Sequence, residues 1–394
     1  MALGFSVRCC ALLFLCGLWT RAQDIPPYTE DCRTGTYPPT GPTFKGNASW
    51  YTINLDLPPE ERWNKVIKDK KKEIVNLMQV IKDLVEAFDP TGQVIRLVDY
   101  KLPILLDSLP YPFNEEIQGI ADASGLPVGE VIFYNIFYEL SCLCTSIIAE
   151  DEKGRMFHAR NLDFGLFLGW DIKHSTWIVN RALKPLVLNL DFQKRNKTVF
   201  KGVTFAGYVG MLTGIKSNIF TLSMNERYSL DGGFMGILEW IFGVNSSWVG
   251  FLMRSVLENA TSYKEVKKEL VETKLIAPAY FILGGKSGEA CVITRTREDS
   301  MDVWELDVKQ GMWYLLETNY DHWNQPMFLD DRRTPAMKCM NRITQKNISL
   351  PTLYDVLSTK PVLNKLTTYT ALMSVDDGTL ETYLRDCPNP CMPW

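Results

Sequence analysis

The hydrophobic pattern of the chain changes at Cys144, and this change limits the folds available to it. Before Cys144, apolar residues recur at three- and four-residue steps from Trp63 to Phe88, which is typical of an amphipathic helix that ends near Asp89-Pro90. After Cys144, short apolar segments alternate with turns rich in Gly, Asn and Lys, which is typical of strands. The pattern predicts a helical part over residues 23–143 and a mixed α/β part over residues 144–394.

Other elements follow from the same patterns. The residues at 23–57 are rich in Pro, Gly and Thr and are interpreted as an extended arm. Further helices are predicted at about 114–124, 128–140, 234–243, 249–271 and 353–357. Strands are predicted on both sides of the turn at 151–154, in the segment TWIVN at 176–180, and through most of the remaining segments after residue 186.

The chain begins like a secreted protein. Arg8 precedes an apolar stretch from Cys9 to Leu18 that is too short to span a bilayer, and small residues lead to a cleavage site after Ala22. Residues 1–22 are therefore predicted to be a signal peptide. Five Asn-X-Ser/Thr sequons predict a glycoprotein: Asn47, Asn196, Asn245, Asn259 and Asn347. A net charge of −4 without a basic run argues against nucleic acid as a partner.

Seven of the ten cysteines follow the predicted signal peptide, and an odd number in an oxidising compartment leaves at least one thiol unpaired. Cys387 and Cys391 enclose the residues Pro-Asn-Pro, which indicates a tight loop closed by a disulfide. A metal site is the competing interpretation there, and the absence of a nearby His or second Cys pair disfavours it. No cofactor-binding glycine loop or metal-binding spacing occurs elsewhere in the sequence.

Histidines are scarce, which limits the conventional catalytic sites. A Cys-His or Ser-His-Asp site must use one of His158, His174 and His322, and no Gly-X-Ser-X-Gly motif occurs. Another arrangement becomes available if the bond between Leu143 and Cys144 is cut. Cys144 then carries a thiol and an α-amine, whose reference pKa of about 8 allows it to act as a general base.

The residues around this thiol suit acyl transfer. Arg160 lies on the strand expected to pair with that of Cys144, where its charge would lower the pKa of both the amine and the thiol. Asp163 could orient the amine. Asn225 and Asn319 lie at strand ends and are candidate donors to a developing oxyanion.

A family resemblance supports this interpretation. The segments CTSIIAED, HARNLDFG, GYVGMLTG, SMNERYSLDGG, ETNYDHW, DDRRTP and DCPNPC look like those of the acid ceramidases. More widely, they resemble the N-terminal-nucleophile amidases, which include bile-salt hydrolases, penicillin V acylases and N-acylethanolamine-hydrolysing acid amidases. The resemblance implies an α+β fold, a four-layer αββα sandwich, with a helical α subunit over residues 23–143 and a catalytic β subunit over 144–394.

The resemblance also implies roles for individual residues. Cys144 is the nucleophile, freed by self-cleavage after Leu143, and Arg332 and Glu226 join the site as an arginine and a supporting carboxylate. The implied disulfides join Cys32 to Cys339, which would tie the two subunits together, and Cys387 to Cys391. Cys291 then stays free. Cys142 departs from the family pattern beside the scissile bond and is expected to be a small side chain without a catalytic role.

The function that the resemblance implies is hydrolysis of the N-acyl bond of ceramide to sphingosine and a fatty acid in the lysosome lumen, with secretion as a second location. No cofactor is expected. Further candidate partners are a lipid-presenting activator protein and an anionic membrane surface. Three alternatives remain open: an amidase that prefers N-acylethanolamines, a secreted lipid-binding protein without activity, and a Cys-His hydrolase that uses His158.

Overall fold

The computed structural model describes residues 32–136, 142–164, 169–229, 232–244 and 246–392. The predicted signal peptide, the sequon at Asn245 and the end of the helix predicted at 128–140 lie outside these ranges. Within them, no helix is both long enough and apolar enough to cross a bilayer.

One sheet of six strands carries Cys144 on β3, the strand next to one edge. Its strands run in the order β1-β16-β15-β4-β3-β14, and neighbouring strands are antiparallel. Their bounds are β1 (Phe44–Asn47), β3 (Cys142–Glu150), β4 (Met156–Phe164), β14 (Tyr314–Glu317), β15 (Thr367–Ser374) and β16 (Thr379–Arg385). The hairpin β3–β4 follows from the sequence, because the turn at 151–154 separates two apolar segments of strand length.

A larger sheet packs against the first. Its order is β13-β12-β11-β10-β9-β8-β7-β2. The bounds are β2 (Ser49–Asn54), β7 (Val187–Lys194), β8 (Lys197–Phe205), β9 (Thr213–Lys216), β10 (Phe220–Glu226), β11 (Ala279–Gly284), β12 (Ala290–Arg295) and β13 (Ser300–Glu305). A small separate hairpin joins β5 (Trp170–Asp171) to β6 (Thr176–Trp177).

The two sheets face each other and helices cover their outer faces. β3 packs on β10 and β11, and the apolar side chains of Ile148, Ile282 and Leu315 meet between the sheets. The helices are α1 (Asn64–Phe88), α2 (Gln93–Tyr100), α3 (Phe113–Ser124), α4 (Val128–Ile136), α5 (Ile178–Leu183), α6 (Gly233–Ile241), α7 (Val249–Asn259), α8 (Tyr263–Glu272), α9 (Arg333–Ile343) and α10 (Leu350–Ser358). α9 and α10 pack on the first sheet, and α7 and α8 pack on the second. This is the predicted αββα sandwich.

Some local predictions were wrong. The arm at 23–57 contributes β1 and β2, which add to the outer edges of the two sheets by pairing with β16 and β7. β1 is FKGN and carries little strand signal, whereas β2, SWYTIN, contains aromatic and β-branched residues that favour a strand. In TWIVN, the chain turns into a helix at Ile178. The helix predicted at 249–271 is two helices, because Ser262 begins α8 by accepting a hydrogen bond from Glu265 N–H. The helices α2 and α9 were not predicted.

A buried ion cluster joins the helical part to the rest of the chain. Glu116 on α3 accepts hydrogen bonds from Arg62 Nη1 at 3.0 Å and Trp63 Nε1 at 2.7 Å. It also accepts hydrogen bonds from both terminal nitrogens, Nη1 and Nη2, of Arg254 on α7. Phe113 stacks on Phe251 at 4.4 Å beside this cluster. Glu116 and Arg254 have no exposed side-chain surface, so Arg254 depends on Glu116 for its counter-charge, while Glu116 also pairs with Arg62.

Candidate active site

The hairpin β3–β4 brings Arg160 to the thiol of Cys144. Arg160 lies opposite Ser146 in the hairpin, and residues two apart on a strand share a face, so Arg160 and Cys144 lie on the same side of the sheet. Arg160 Nη2 donates to Cys144 Sγ at 2.6 Å. Its Nη1 donates to Leu212 O at 2.9 Å and to Thr213 Oγ1 at 3.0 Å. The guanidinium is therefore fixed against the thiol.

Asn319 contacts the backbone nitrogen of Cys144. It follows β14, which pairs with β3, so the strand pairing delivers it to the start of the nucleophile strand. Asn319 Oδ1 accepts from Cys144 N–H at 2.8 Å and from Arg332 Nη2 at 2.8 Å. Its Nδ2 donates to the Glu226 carbonyl at 2.7 Å. The atom that would become the α-amine thus already has a side-chain acceptor in the uncut chain.

Arg332 contacts Cys144 through its carbonyl. It lies immediately before α9, and its Nη1 donates to Cys144 O. Asp330 accepts from Arg332 Nε at 2.9 Å, and the carboxylate of Asp163 lies 3.6 Å from Nη1. Nitrogen, oxygen and sulfur of Cys144 are therefore each contacted by a different side chain: Asn319, Arg332 and Arg160.

Burial shifts the pKa values in this site. It raises the pKa of the Cys144 thiol to about 11, although the charges of Arg160 and Arg332 lower it. Burial also raises the pKa of Asp163 to about 6, against the lowering effects of Arg332 and of hydrogen bonds from Thr367 and Asn364. Asn364 Nδ2 donates to Asp163 Oδ2 at 3.1 Å. In the uncut chain at acidic pH, the thiol is protonated and Asp163 is at least partly neutral.

Asn225 and Glu226 are neighbours on β10 with different surroundings. Asn225 Nδ2 donates to the carbonyls of Glu317 at 3.0 Å and Thr318 at 2.8 Å, and its Oδ1 accepts from Ser146 Oγ. It therefore braces the segment that leads to Asn319. The charge of Glu226 raises the pKa of the Cys144 thiol, so its carboxylate lies within electrostatic range of the sulfur. The catalytic roles of both residues stay predictions.

Several contacts of this site carry no sequence signal. Thr213 fixes Arg160 and is itself hydrogen-bonded to Tyr369 Oη at 2.9 Å, and Asn364 holds Asp163. Thr213 lies in the segment GYVGMLTG, which did not indicate a role for it in the site, and Tyr369 and Asn364 belong to no motif with a recognisable spacing. Asp330 pairs with Arg332, and the sequence indicated it only as one residue of the charged segment DDRRTP.

The three histidines lie outside the site around Cys144. His158 is buried, and its Nδ1 and Nε2 lie 3.0 Å from Thr221 Oγ1 and 2.8 Å from Ser223 Oγ, respectively. Burial lowers its pKa to about 3. His174 contacts Asp171, and His322 stacks on Trp304. Among the residues that the structure describes, no group of His, Cys, Asp and Glu is placed to hold a metal ion.

Both disulfides implied by the family resemblance are present. Cys32 is bonded to Cys339, and Cys387 to Cys391. Cys291 is a buried free thiol, as expected, and the Cys142 side chain lies outside the described part of the chain. The sequon residues that the structure describes are exposed, which suits glycosylation: Asn47, Asn196, Asn259 and Asn347. Their modification stays a prediction.

Comparison with known proteins defines the class. Residues 144–386 match the family described as linear amide C-N hydrolases, choloylglycine hydrolase family. Residues 46–109 match the beta subunit of N-acylethanolamine-hydrolyzing acid amidase. The chain therefore belongs to the choloylglycine hydrolase family and is a hydrolase of linear amide C–N bonds with the N-terminal-nucleophile fold.

Individual relatives are similar to this chain over most of its length. The chain is 60% identical to the acid ceramidase of Mus musculus over 376 residues and 59% identical to that of Homo sapiens over 375 residues, in each case covering 95% of both chains. A solved structure of the Caenorhabditis elegans N-acylethanolamine-hydrolyzing acid amidase ortholog is similar with a TM-score of 0.50 and 33% identity. That similarity covers 58% of this chain and 92% of the other.

Proposed function

We propose that this chain hydrolyses the N-acyl bond of ceramide, releasing sphingosine and a fatty acid, after the chain has been cut between Leu143 and Cys144. The observation that carries the proposal is the engagement of three atoms of Cys144 by Asn319, Arg332 and Arg160. The family match begins at Cys144. The identity to acid ceramidases over 95% of both chains supports ceramide as the substrate.

The proposal divides the chain into a signal peptide at 1–22, an α subunit at 23–143 and a β subunit at 144–394. The Cys32–Cys339 disulfide crosses the proposed cut and would hold the subunits together. The pairing of β1 with β16 and of β2 with β7 also crosses it. We place the mature protein in the lysosome lumen, with secretion, an activator protein and an anionic membrane surface as further parts of the proposal.

Self-cleavage uses the thiol on the carbonyl that precedes it. The sulfur of Cys144 adds to the carbonyl carbon of Leu143, the C–N bond breaks, and the nitrogen of Cys144 takes up the proton lost by the thiol. Water then hydrolyses the resulting thioester of Leu143, which frees the carboxylate of Leu143 and the thiol of Cys144. Leu143 precedes Cys144 on β3 and is buried against Trp177 and Leu366, which holds the strand in place at the bond to be cut.

Turnover uses the freed amine as the base. The amine takes the thiol proton, the thiolate adds to the substrate amide carbon, and the oxyanion accepts hydrogen bonds in the region of Asn319 and Asn225. The amine returns the proton to the departing nitrogen as the C–N bond breaks, and water releases the fatty acid from the thioester. Both amides donate to backbone carbonyls in the uncut chain, Asn319 to that of Glu226 and Asn225 to those of Glu317 and Thr318, so each must turn to reach the oxyanion.

The charges around the nitrogen suit an acidic compartment. The amine must have a pKa below its usual value of about 8 to act as a base there. Arg160 and Arg332 disfavour its protonated form. Asp163 favours that form only when it is ionised, and its pKa of about 6 means that it gains a proton as the pH falls. Acidification therefore removes the negative charge that would otherwise oppose the two arginines.

The first test determines the N-termini of purified protein held at acidic pH. We expect a new chain that begins at Cys144, joined to the rest until reductant is added, together with ceramide hydrolysis. Cys144→Ala should abolish both. Cys291→Ala, which removes the other buried free thiol among the described side chains, is the matched control and should be cut normally. An uncut wild-type chain that hydrolyses ceramide would refute the amine mechanism but not the substrate.

A preference for N-acylethanolamines is the second candidate, favoured by the match at 46–109 and by the similarity to the worm amidase ortholog. Parallel assays of cut protein with ceramide and with an N-acylethanolamine of the same acyl chain distinguish the two. We expect a higher kcat/KM on ceramide. Cut protein that binds these lipids without hydrolysing either would instead support a lipid-binding role.

A further inference from the structure

Asn319 lies in a segment that strand pairing does not fix. Residues 318–327 are all described, and none of them belongs to a helix or a strand. The pairing of β14 with β3 ends at Glu317 and Ser146, two residues before it would reach Asn319 and Cys144. The side chain of Asn319 nevertheless accepts the Cys144 N–H at 2.8 Å. Its position therefore depends on the contacts that hold this segment.

One guanidinium holds the part of the segment that follows Asn319. Arg333, the first residue of α9, is buried and donates hydrogen bonds to four carbonyl oxygens: Tyr320 O, Asp321 O at 3.2 Å, His322 O at 3.5 Å and Asn324 O at 2.9 Å. The backbone at 320–324 therefore turns around a single side chain. A guanidinium suits this arrangement, because it presents five N–H donors in one fixed plane.

The part of the segment that precedes Asn319 is held by other groups. Asn225 Nδ2 donates to the carbonyls of Glu317 and Thr318. The carboxylate of Glu317 accepts the Thr318 N–H at 2.9 Å and lies 3.3 Å from Arg333 Nη2. The backbone on both sides of Asn319 is thus fixed, and Arg333 contacts groups on both sides.

We propose that Arg333 is a positioning residue for the site around Cys144: by binding the carbonyls at 320–324, it holds Asn319 against the nitrogen of Cys144. The two adjacent arginines then have different tasks, because Arg332 contacts the side chain of Asn319 and Arg333 contacts the backbone beyond it. The expected effect on reaction rates rests on the proposed function. The expected effect on the position of Asn319 in the uncut chain does not.

The first measurement needs no activity. It uses full-length Cys144→Ala protein, which stays uncut, and follows hydrogen exchange at the backbone N–H of residue 144, the group that donates to Asn319. Adding Arg333→Lys should speed this exchange about tenfold, because an ammonium has three donors without a fixed plane and cannot replace the four contacts to carbonyls. The exchange is resolved to single residues by fragmentation mass spectrometry.

The matched control is Arg295→Lys. Arg295 is also buried and also donates to backbone carbonyls, those of Leu270 and Thr273 at the end of α8. It should lower Tm like Arg333→Lys and leave the exchange at residue 144 unchanged. Equal acceleration in the two variants, or no acceleration in Arg333→Lys, would overturn the proposal. Failure of Arg333→Lys alone to fold would also overturn it, since Arg333 would then have a purely structural role.

The second measurement uses protein with Cys144 intact. Arg333→Lys should slow self-cleavage about 10- to 100-fold, the size of effect that a small misplacement of a site group produces. In cut protein, kcat on ceramide should fall by a similar factor with KM within about twofold of wild type. Arg295→Lys should show wild-type rates. Unchanged rates, or a change in KM alone, would overturn the proposal. A wild-type chain that is neither cut nor active would refute the proposed function, and the exchange at residue 144 would still decide whether Arg333 positions Asn319.

Discussion

Replacing Glu116 by Leu tests how the helical part is attached to the rest of the chain. Glu116 accepts hydrogen bonds from Arg62, Trp63 and Arg254, and both Glu116 and Arg254 are fully buried. Glu116→Leu leaves the Arg254 guanidinium in the interior without a counter-charge. Removing one member of such a pair typically costs about 3–5 kcal/mol. Arg254 cannot turn to solvent without leaving the rings of Phe113 and Phe192 that flank it.

The size of the thermal effect follows from the length of the chain. Unfolding entropy of about 2.1 cal/mol/K per residue gives roughly 0.8 kcal/mol/K for a chain of this size, so 3–5 kcal/mol lowers Tm by about 4–6 °C. The double variant Glu116→Leu/Arg254→Met replaces the ion pair by an apolar pair and should recover part of this loss, but not all of it, because Arg62 and Trp63 still lose their acceptor. Calorimetry of the uncut Cys144→Ala protein measures both values.

The same variant can also be tested in cut protein, through the association of the two chains. After reduction of Cys32–Cys339, the two chains of Glu116→Leu should separate faster on gel filtration than those of wild type. The surface variant Glu298→Gln, which removes an exposed pair with Lys274, should leave Tm unchanged. A Tm within 1 °C of wild type for Glu116→Leu, on the order of the measurement error, would refute the view that this cluster attaches the helical part.

Three further predictions concern the site and its surroundings. Arg160→Met should raise the pKa of the Cys144 thiol further and slow self-cleavage at least about tenfold, since one pKa unit corresponds to a tenfold change. The measurement is the rate at which the chain beginning at Cys144 appears, and an unchanged rate would contradict the role of Arg160. Burial raises the pKa of Glu317 to about 8, so the stability contributed by its neutral form is complete below about pH 4.5 and is lost as the pH rises towards 8. Glu317→Gln should therefore reduce the pH dependence of the free energy of unfolding in urea between these two pH values. The same pH dependence in the variant and in wild type would contradict the assignment. His158→Gln should still be cut and active, because the ring contacts Thr221 and Ser223, whereas loss of activity in folded protein would favour the Cys-His alternative.

The sequence predicted the parts of the site that depend on local structure. The turn at 151–154 determines the hairpin β3–β4, and the hairpin alone brings Arg160 beside Cys144. Asn319 reaches the nucleophile by a pairing between β14 and β3 that joins residues far apart in the chain, and no local pattern encodes this register. Its place at a predicted strand end made Asn319 a candidate donor, and the family resemblance supported that role.

The direction of neighbouring side chains on a strand could not be predicted from the sequence. Asn225 and Glu226 point to opposite sides of β10, so at most one side chain faces a given group, and the sequence does not tell which. The structure directs the Asn225 amide to the carbonyls of Glu317 and Thr318. The edge strands β1 and β2 pair with β16 and β7, which are distant in the chain, and the local sequence of the arm does not specify these partners.

The burial of Cys144 determines the order of the proposed steps. The thiol has no exposed surface in the uncut chain, and Leu143 packs beside it against Trp177 and Leu366. An N-acyl lipid cannot bring its carbonyl to such a sulfur, whereas the carbonyl of Leu143 is one bond away from the nucleophile residue. The side chains that hold the nitrogen, oxygen and sulfur of Cys144 are already in place. Cutting therefore needs little rearrangement of the site, while lipid hydrolysis requires the segment that ends at Leu143 to move first.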